Sequence, residues 1–318
     1  MGIRVVFWGN SQSVFSSRHF AALEAVSCDL AAVIDVPAAK RVSTNPLPEG
    51  LPNFVDVARQ KKIPVFAPDN PNGPDFVNEL QRLTPDLFIA VGYAMILKPA
   101  VLAVPSQLAA NFHAALLPHF RGKHPVFWTL RNGERWAGLT VHCMDPGIDT
   151  GDIIYQVKVR TRRDDTVASL YGRIMDRSAG LVGRLAADVE ASTVPRLAQP
   201  FAEGSYFSSI NDEDFQIDWR WNAERIRRFI TITPGKCYSM AGGQRLAFFR
   251  AETARDGRTG IPGALLAIGR TRCLIAVGDG AAGDGAVWIG RARREGGEEQ
   301  SMAAACSQLG LPVGAVLG

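Results

Sequence analysis

The 318-residue sequence lacks most features of a secreted, membrane-spanning or disulfide-stapled protein. It has few cysteines, an odd number of them, and they never form a CxxC pair; they are Cys28, Cys143, Cys237, Cys273 and Cys306. We therefore expect reduced thiols, without a disulfide framework or structural zinc. No apolar stretch reaches the ~20 residues that cross a bilayer, and no apolar leader ends in a small-residue cleavage site. These absences predict a cytoplasmic protein with no membrane partner.

A strong excess of charge of one sign is also missing. The formal net charge is only +4, which does not by itself indicate a nucleic-acid binder, and DNA is not an expected partner. Hydrophobic residues make up 47% of the chain, enough for ordinary cores. At roughly 100–200 residues per domain, the length favours two domains.

Up to about residue 190, short β-branched and aromatic runs alternate with amphipathic stretches. The runs predict strands at Ile3–Trp8, Leu30–Asp35, Ile63–Phe66, Leu87–Tyr93, Ala109–Ala114, Leu139–Asp145 and Ile153–Val159. The stretches predict helices at Phe15–Val26, Asn53–Gln60, Asp75–Leu83, Val126–Asn132 and Thr166–Glu190. Strands separated by helices indicate an α/β domain with a mostly parallel sheet and helices on both faces. Functional sites in such domains lie at the carboxyl ends of the strands.

The composition and the predicted secondary structure change after this region. Residues 192–214 contain Pro195, Pro200, Gly204 and several serines, a composition typical of a linker. Beyond it, a short helix within Phe215–Ile230 is followed by short strands at Leu246–Ala251, Gly263–Ile268, Cys273–Val277 and Ala286–Ile289. We predict a catalytic domain at 1–191, a linker at 192–214 and a small β-rich, barrel-like domain at 215–318. The glycine-rich piece Gly278–Gly285 opens no helix, so it is interpreted as a loop and not as a phosphate cradle.

One pair of residues stands out chemically. Asn111 and His113 are two positions apart on a predicted strand, so their side chains point to the same face. The strand is expected to end near Leu116–Pro118, which would put both residues near its carboxyl end. An amide and an imidazole aimed at one point suit acyl transfer, because both can donate hydrogen bonds to an oxyanion and the imidazole can carry a proton.

Asp149 lies in the turn-like segment from Pro146 to Gly151. A carboxylate there could orient the imidazole and favour its protonated form, although an aspartate in such a turn is usually only a turn former. The sequence has no GxSxG and no well-placed Ser or Cys nucleophile. Direct transfer between two bound substrates is therefore favoured over a covalent acyl-enzyme. The nearby histidines have neither metal-site spacing nor accompanying Glu or Cys ligands, so no metal is expected.

The order of motifs adds a resemblance. The sequence reads Asn111, His113, Ala115-Leu-Leu-Pro118, Arg121-Gly122, Pro125 and Asp149-Thr-Gly151. This resembles the signature of the 10-formyltetrahydrofolate-dependent formyltransferases, which reads Asn-x-His, Ser-Leu-Leu-Pro, Arg-Gly, Pro and Asp-x-Gly. The opening Phe7–Ser11 and the segment Val91–Leu97 also resemble that family, so the similarity covers nearly the whole chain. Ala115 departs from the family's usual serine.

The resemblance implies a fold, a donor and roles for individual residues. The fold would be a Rossmann-like catalytic domain followed by an OB-like barrel, and the donor 10-formyltetrahydrofolate. Asn111, His113 and Asp149 would be catalytic. The folate pocket would be lined by Met95, Ile96, Leu97, Ala115, Leu116, Leu117, Pro118, Thr150 and Gly151. Asn10, Ser11 and Arg121 would contact substrate, Arg121 through the glutamate tail of folate or an acidic acceptor.

The identity of the acceptor amine stays open at this point. The full-length layout resembles methionyl-tRNA formyltransferase. However, the loop Val36–Pro46 has only two basic residues, and Lys123-His-Pro-Val-Phe-Trp128 follows Arg121-Gly122 where tRNA enzymes carry small residues. From Asn211 onwards there are 14 Lys and Arg against 12 Asp and Glu, a net of +2, which is weak for phosphate contact. The alternatives are a small-molecule acceptor such as an amino sugar or amino acid, or hydrolysis of the donor to formate.

Overall fold

The computed structural model describes residues 2–41, 43, 45–254, 257–278 and 285–318. The chain divides into two compact units. The first holds Met1–Thr129, Arg135–Arg160 and Ala168–Ser208; the second holds Leu130–Glu134, Thr161–Val167 and Ser209–Gly318. The exact domain boundaries drawn from the sequence stay a prediction. Most of the glycine-rich loop at 278–285 lies outside the described residues.

The first unit alternates strands and helices along the chain. Its strands are β1 (Arg4–Gly9), β2 (Asp29–Asp35), β3 (Val65–Phe66), β4 (Leu87–Val91), β5 (Leu108–His113), β6 (Arg121–Gly122), β7 (Trp136–Cys143), β8 (Ile153–Arg160) and β9 (Tyr206–Phe207). The helices that accompany them are α1 (Val14–Glu24), α2 (Phe54–Gln60), α3 (Pro74–Arg82), α4 (Pro99–Leu102), α5 (Pro125–Asn132), α6 (Val167–Ser178) and α7 (Gly180–Glu190).

Across the described residues, the main sheet has the strand order β3-β2-β1-β4-β5-β7-β8. Pairing is parallel from β3 through β5 and antiparallel between β5, β7 and β8. The sheet is therefore mostly parallel, as the sequence predicted, with an antiparallel edge that the alternation alone did not reveal. The direction in which the strand order runs changes between β1 and β4. In open α/β sheets, ligands bind at such a switch point.

Alternate residues of β1 show how both faces of this sheet are covered. Trp8 packs edge-on against Phe76 of α3, with ring centroids 6.3 Å apart. Phe7, on the opposite face, meets Phe20 of α1 and Phe54 of α2 at 5.2 and 5.3 Å. These aromatic side chains contribute to an apolar layer on each face of the sheet, and aromatic rings can bury more area than aliphatic side chains. The two-sided α/β prediction is confirmed.

The long helix predicted at Thr166–Glu190 is wrong in one respect, because the structure has two helices, α6 and α7. The Val182 N–H donates to the Ala179 carbonyl, a three-residue step that interrupts the four-residue helical ladder. The Ser178 hydroxyl at the break hydrogen-bonds the buried His19 imidazole at 2.9 Å. This contact fixes the break against α1 and could not be inferred from periodicity.

The second unit is built on an antiparallel sheet. Its described strands are β10 (Tyr238–Ala241), β11 (Gln244–Thr253), β12 (Leu265–Ile268), β13 (Cys273–Val277), β14 (Gly285–Arg294) and β15 (Glu299–Ser301), with helices α8 (Ala223–Ile232) and α9 (Met302–Gln308). The order is β10-β11-β14-β13-β12, and β15 pairs with β14. Register shifts bend β11 and β12, which curves the sheet into a half-barrel. The barrel-like prediction is confirmed; β10, β15 and α9 were not predicted.

Candidate active site

Strand β5 lies inside the sheet and carries Asn111 and His113 at its carboxyl end. Asn111 lies opposite His142 of β7, and His113 lies opposite Thr140. The strand ends at His113, not near Leu116–Pro118 as predicted, because the Ala115 N–H turns back to the His113 carbonyl at 2.8 Å. The chemistry-bearing residues are thus at the very end of the strand, where the backbone leaves the sheet.

The Asp149 carboxylate is the point on which several groups converge. Its Oδ2 accepts a hydrogen bond from the Gly122 N–H at 2.8 Å and lies 3.5 Å from His113 Nδ1. Its Oδ1 lies 3.3 Å from both Asn111 Nδ2 and His142 Nε2. Asp149 itself has a left-handed backbone, with φ at 54°. The structure therefore brings together the three residues that the sequence singled out.

The protonation of Asp149 follows from its surroundings. Burial alone would raise the pKa of its carboxyl group, but the charge of His113 and the Gly122 N–H hold that pKa well below its ordinary value. Asp149 is consequently a carboxylate over the whole physiological range. A permanent negative charge in a site this buried favours positive charge beside it.

His113 makes two polar contacts, one on each ring nitrogen. Its Nε2 lies 2.8 Å from the Phe120 carbonyl oxygen, which can only accept, so Nε2 carries a hydrogen. A second proton, on Nδ1, would point at Asp149. The geometry therefore accommodates the doubly protonated imidazolium without an unsatisfied donor. Phe120 reaches this position with a φ of 59°, so the carbonyl is held by a backbone shape that few residues adopt.

His142 is a member of this cluster to which the sequence assigned no catalytic or binding role. Its Nδ1 donates to the Cys143 carbonyl at 2.7 Å, which leaves Nε2 as an acceptor in the neutral ring. The Asn111 amide lies 3.1 Å from that Nε2. His142 therefore fixes which way the Asn111 amide points. Its position two residues after Thr140 on a strand was visible in the sequence, but the pairing of β7 with β5 was not.

The turn that carries Asp149 is held from inside by Asp145. The Asp145 carboxylate accepts hydrogen bonds from the Thr150 hydroxyl at 2.6 Å and the Gly147 N–H at 3.1 Å. At Gly151 an added Cβ would lie 1.9 Å from the Cys143 carbonyl oxygen, so this position needs glycine. Thr150 and Gly151, both predicted to contact folate, are thus also structural parts of the turn.

The segment Ala115–Pro118 is clamped to the sheet through its backbone. The Thr140 hydroxyl donates to the Ala115 carbonyl at 2.7 Å and accepts from the Leu117 N–H at 3.1 Å. Gln156 donates to the Leu117 carbonyl at 2.7 Å. Ala115 and Leu117 have buried side chains and Leu116 is half-buried. Because the Ala115 side chain is 1% exposed, the departure from the family serine falls at a site closed to solvent.

The segment Met95–Leu97 follows β4 and leaves the sheet at the switch point. Asn72 holds it by donating to the Ile96 carbonyl at 2.9 Å and accepting from the Lys98 N–H at 2.7 Å. Ile96 is 66% exposed, whereas Leu97 is buried in the core beside Trp8. Among Met95, Ile96 and Leu97, Ile96 therefore has the most exposed side chain and Leu97 the least exposed one.

Asn10 and Ser11 follow β1 and belong to a different hydrogen-bond cluster. Ser11 donates through both its N–H and its hydroxyl to Asp35, at 2.8 and 2.7 Å, and Arg41 pairs with the same carboxylate at 2.9 Å. Asn10 accepts from the Gln12 N–H at 3.0 Å. All of these contacts organise the turn after β1, and both predicted substrate residues are buried.

Arg121 lines a cleft of about 520 Å³ beside the Asp149 turn. The guanidinium lies over the Phe201 ring, 5.4 Å from its centroid. The other residues that line the cleft are Cys143, Met144, Asp145, Thr150, Gly151, Asp152 and Arg196. Arg121 is thus the one predicted substrate residue that shares a cleft with the predicted folate residues Thr150 and Gly151.

Two further findings concern cofactors and membranes. Among the described residues, no group of three or more His, Cys, Asp or Glu side chains has an arrangement that could hold a metal ion. Within the same part of the chain, no helix is both long and apolar enough to span a bilayer. The expectation of a metal-free reaction stays a prediction.

Comparison with known proteins shows the family to which the chain belongs. Residues 3–183 match the formyl transferase family and residues 209–309 match the formyl transferase C-terminal domain. A methionyl-tRNA formyltransferase of Methylacidiphilum infernorum is 31% identical over 99% of this chain and 98% of its own. Another, from Geobacter sulfurreducens, is 33% identical over 70% of this chain and 71% of its own. The chain therefore belongs to the formyl transferase family.

Solved structures show the same fold at lower identity. An N-formyltransferase from Helicobacter canadensis, crystallised with folinic acid and dTDP-3-aminofucose, superposes with a TM-score of 0.65 at 18% identity, covering 92% of this chain and 100% of that one. HypX from Aquifex aeolicus superposes with a TM-score of 0.60 at 19% identity. The match covers 98% of this chain and 48% of HypX, so this chain spans about half of that protein's length.

Proposed function

We propose that this enzyme transfers the formyl group of 10-formyltetrahydrofolate to a primary amine, with Asn111, His113 and Asp149 as its catalytic residues. The observation that carries the proposal is the convergence of an amide, an imidazole and an ionised carboxylate at the end of one strand. Asp149 keeps a negative charge in a buried site, which stabilises a protonated His113 as oxyanion partner.

The chemistry starts with attack of the amine nitrogen on the formyl carbon, which makes a tetrahedral oxyanion. The Asn111 amide and His113 both direct hydrogens at protein acceptors, His142 Nε2 and the Phe120 carbonyl. Asn111 would then donate to the oxyanion in place of His142 Nε2, and His113 would donate to it in place of the Phe120 carbonyl. The exchange is favourable because a charged acceptor makes a stronger hydrogen bond than a neutral one.

Collapse of the intermediate breaks the bond between the formyl carbon and N10 of the folate. The attacking amine loses a proton and N10 gains one, so the overall reaction balances without an oxidant or a reductant. Asp149 is a weak base because its pKa is held low. Its main contribution is therefore to hold His113 in place and balance its charge, while the proton passes directly or through water. Proximity of two bound substrates supplies much of the rate.

The folate would bind along the carboxyl ends of β4 and β5. Ile96 and Met95 would offer side chains, and Leu97 and Ala115–Pro118 would contribute backbone groups, because four of those five side chains, all except Leu116, are buried. Thr150 and Gly151 would close the pocket beside Asp149. Arg121 would meet the anionic tail of the folate or an acidic acceptor from the adjoining cleft.

Methionyl-tRNA is the acceptor we favour. The supporting observation is that relatives named as methionyl-tRNA formyltransferases match through both family regions, at 31% identity over nearly the full length. The competing candidate is a small-molecule amine such as an amino sugar. It is favoured by the weak charge of the region from Asn211, where 14 basic residues oppose 12 acidic ones. Asn10 and Ser11 are proposed to shape the acceptor side through their turn.

The proposed compartment is the cytoplasm, where initiator tRNA and reduced folates are available. The five cysteines support this placement, because all are free and four are buried. Such thiols are typical of a reducing compartment.

The test mixes purified protein with 10-formyltetrahydrofolate and follows tetrahydrofolate release by absorbance. One arm contains charged initiator methionyl-tRNA, and the other a panel of amino sugars and amino acids. We expect tRNA-dependent release that declines steeply as salt is raised from 50 to 200 mM, since phosphate contacts are salt-sensitive. Release only with a small amine would support the competing acceptor. Release without any amine would indicate a hydrolase.

Asn111→Ala and His113→Ala in the same assay test the catalytic assignment. Each should lower kcat by about 10²-fold or more, because that is the usual cost of one lost oxyanion donor. Asn132→Ala, at the far end of α5, serves as the amide control and should keep wild-type turnover. Turnover within threefold of wild type in either site variant would overturn the assignment.

A further inference from the structure

A segment of the first unit that looks like a linker in the sequence touches the catalytic group from two sides. We call residues 197–207 the strap. It begins where Leu197 exchanges two backbone hydrogen bonds with Ile153, the first residue of β8. It ends in β9, whose Tyr206 and Phe207 pair with Arg121 and Gly122 of β6. Between these anchors lie Gln199 and Ser205.

Gln199 fixes the backbone on either side of Thr150. Its side-chain amide donates to the Asp149 carbonyl at 2.9 Å and to the Gly151 carbonyl at 2.7 Å, and the residue is buried. One NH₂ group thus bridges two carbonyls of the turn that carries the carboxylate. Because Asp149 has a left-handed φ, its orientation depends on such outside contacts.

Ser205 fixes the backbone that contacts His113. Its hydroxyl accepts from the Phe120 N–H at 2.9 Å, its carbonyl accepts from the Arg121 N–H at 2.9 Å, and its N–H donates to the Pro118 carbonyl at 3.2 Å. The Phe120 carbonyl is the acceptor for His113 Nε2. Through its carbonyl, Ser205 therefore holds the Phe120–Arg121 peptide, whose carbonyl accepts from the resting imidazole, and through its hydroxyl it holds the preceding peptide.

The end of the strap controls the N–H that binds Asp149. Gly122 donates to the carboxylate while an added Cβ on it would lie 2.2 Å from the Phe207 carbonyl oxygen. The Phe207 ring stacks on Phe120 and Trp128, with centroids 5.5 and 4.7 Å away. This close approach fixes the position of β6 relative to the strap. The Gly122 N–H is therefore expected to move together with the strap.

We infer that the strap is part of the catalytic apparatus, with Gln199 and Ser205 as positioning residues that hold Asp149 and His113 in register for formyl transfer. The inference rests on the proposed function. Neither residue touches substrate. Each acts through one catalytic side chain, and a misplacement of about 1 Å can cost on the order of 10²-fold in rate.

The experiment compares Gln199→Met, Gln199→Glu and Ser205→Ala in the full-length protein by steady-state formyl transfer. We expect kcat to fall by about 10-fold to 100-fold, with KM for both substrates changed by less than about threefold. Gln199→Glu keeps the shape but turns an acceptor oxygen towards two carbonyls, so it should lose at least as much as Gln199→Met. Gln81→Met on α3 and Ser208→Ala, both exposed, are the matched controls and should match wild type.

A double-mutant comparison separates positioning from mere folding. If Gln199 acts through the Asp149 carboxylate, Gln199→Met should lower kcat far less in an Asp149→Asn background than in wild type, because the charge that Gln199 positions is already absent. A purely structural role would lower Tm and leave the kcat of the folded fraction unchanged in both backgrounds, and that result would overturn the inference. Failure of the proposed function would look different, because wild type itself would then transfer no formyl group.

Discussion

The energetic effect of removing the Asp149 charge follows from distances within the site. Asp149→Asn keeps the size of the side chain and leaves an oxygen to accept from Gly122. It removes a negative charge 3.5 Å from His113 Nδ1 and 3.3 Å from His142 Nε2. At an effective dielectric constant of ~20, unit charges 3.5 Å apart attract by about 5 kcal/mol. The neutral amide is less costly to bury, which offsets part of that loss.

We therefore expect Asp149→Asn to lose about 4 kcal/mol of transition-state stabilisation, or roughly 10³-fold in kcat. The assay is single-turnover formyl transfer with saturating donor, which separates chemistry from product release. Asp176→Asn, whose exposed carboxylate pairs with Arg18 on the surface, is the control and should retain wild-type kcat. A kcat for Asp149→Asn within fivefold of wild type would refute the electrostatic argument.

The same variant makes a prediction about stability. Because the pKa of Asp149 is depressed in the folded protein, the ionised group stabilises the fold above its ordinary pKa, and this contribution is lost as pH falls through the folded value. Asp149→Asn should therefore be less stable than wild type at neutral pH and lose less stability below about pH 4. Urea unfolding between pH 2 and 7 measures both effects.

Three further predictions concern other parts of the first unit. His142→Phe should lower kcat about tenfold or more, because Asn111 loses the acceptor that orients its amide, and single-turnover kinetics would show it; wild-type kcat would argue against this role. Gly122→Ala should cost at least ~2 kcal/mol in the free energy of unfolding, because its φ is 94° and its new Cβ would meet the Phe207 carbonyl, and an unchanged thermal midpoint would contradict this. Burial lowers the pKa of His19 to about 4, so unfolding takes up a proton between about pH 4 and 6.5. The free energy of unfolding should therefore rise with pH in that window, by up to about 3 kcal/mol. His19→Gln should flatten this dependence of stability on pH in denaturant titrations, and an unchanged dependence would show that another group causes it.

The contrast between His113 and His142 shows how far the candidate site could be predicted from the sequence. Asn111 and His113 share a strand, and the two-residue repeat of a strand puts them on one face without further information. His142 has the same local appearance as any histidine on a strand. Its importance comes from pairing β7 against β5, which brings its Nε2 to the Asn111 amide. Strand pairing between distant segments is not encoded in local periodicity.

The strap is the clearest case in which composition was a poor guide. Residues 192–214 contain prolines, a glycine and serines, which are typical of connecting segments. In the structure, Gln199 and Ser205 of that segment bond the backbone around Asp149 and Phe120. Polar residues in an irregular segment can equally face solvent or satisfy buried carbonyls. The sequence cannot distinguish these, because the difference depends on which surface lies beneath the segment.

Helix and strand content followed from the sequence because it depends on local repeats. The spacing of apolar residues determined the α/β character of the first unit, and short runs broken by Gly and Pro determined the β character of the second. The sequence also determined which residue types could carry acyl transfer. Only the tertiary structure decided that Asp149, 36 residues beyond His113, would lie 3.5 Å from it, that β7 and β8 would pair antiparallel, and that the strap would hold both. Those outcomes depend on contacts between segments far apart in the chain, whose energies exist only once the sheet has formed.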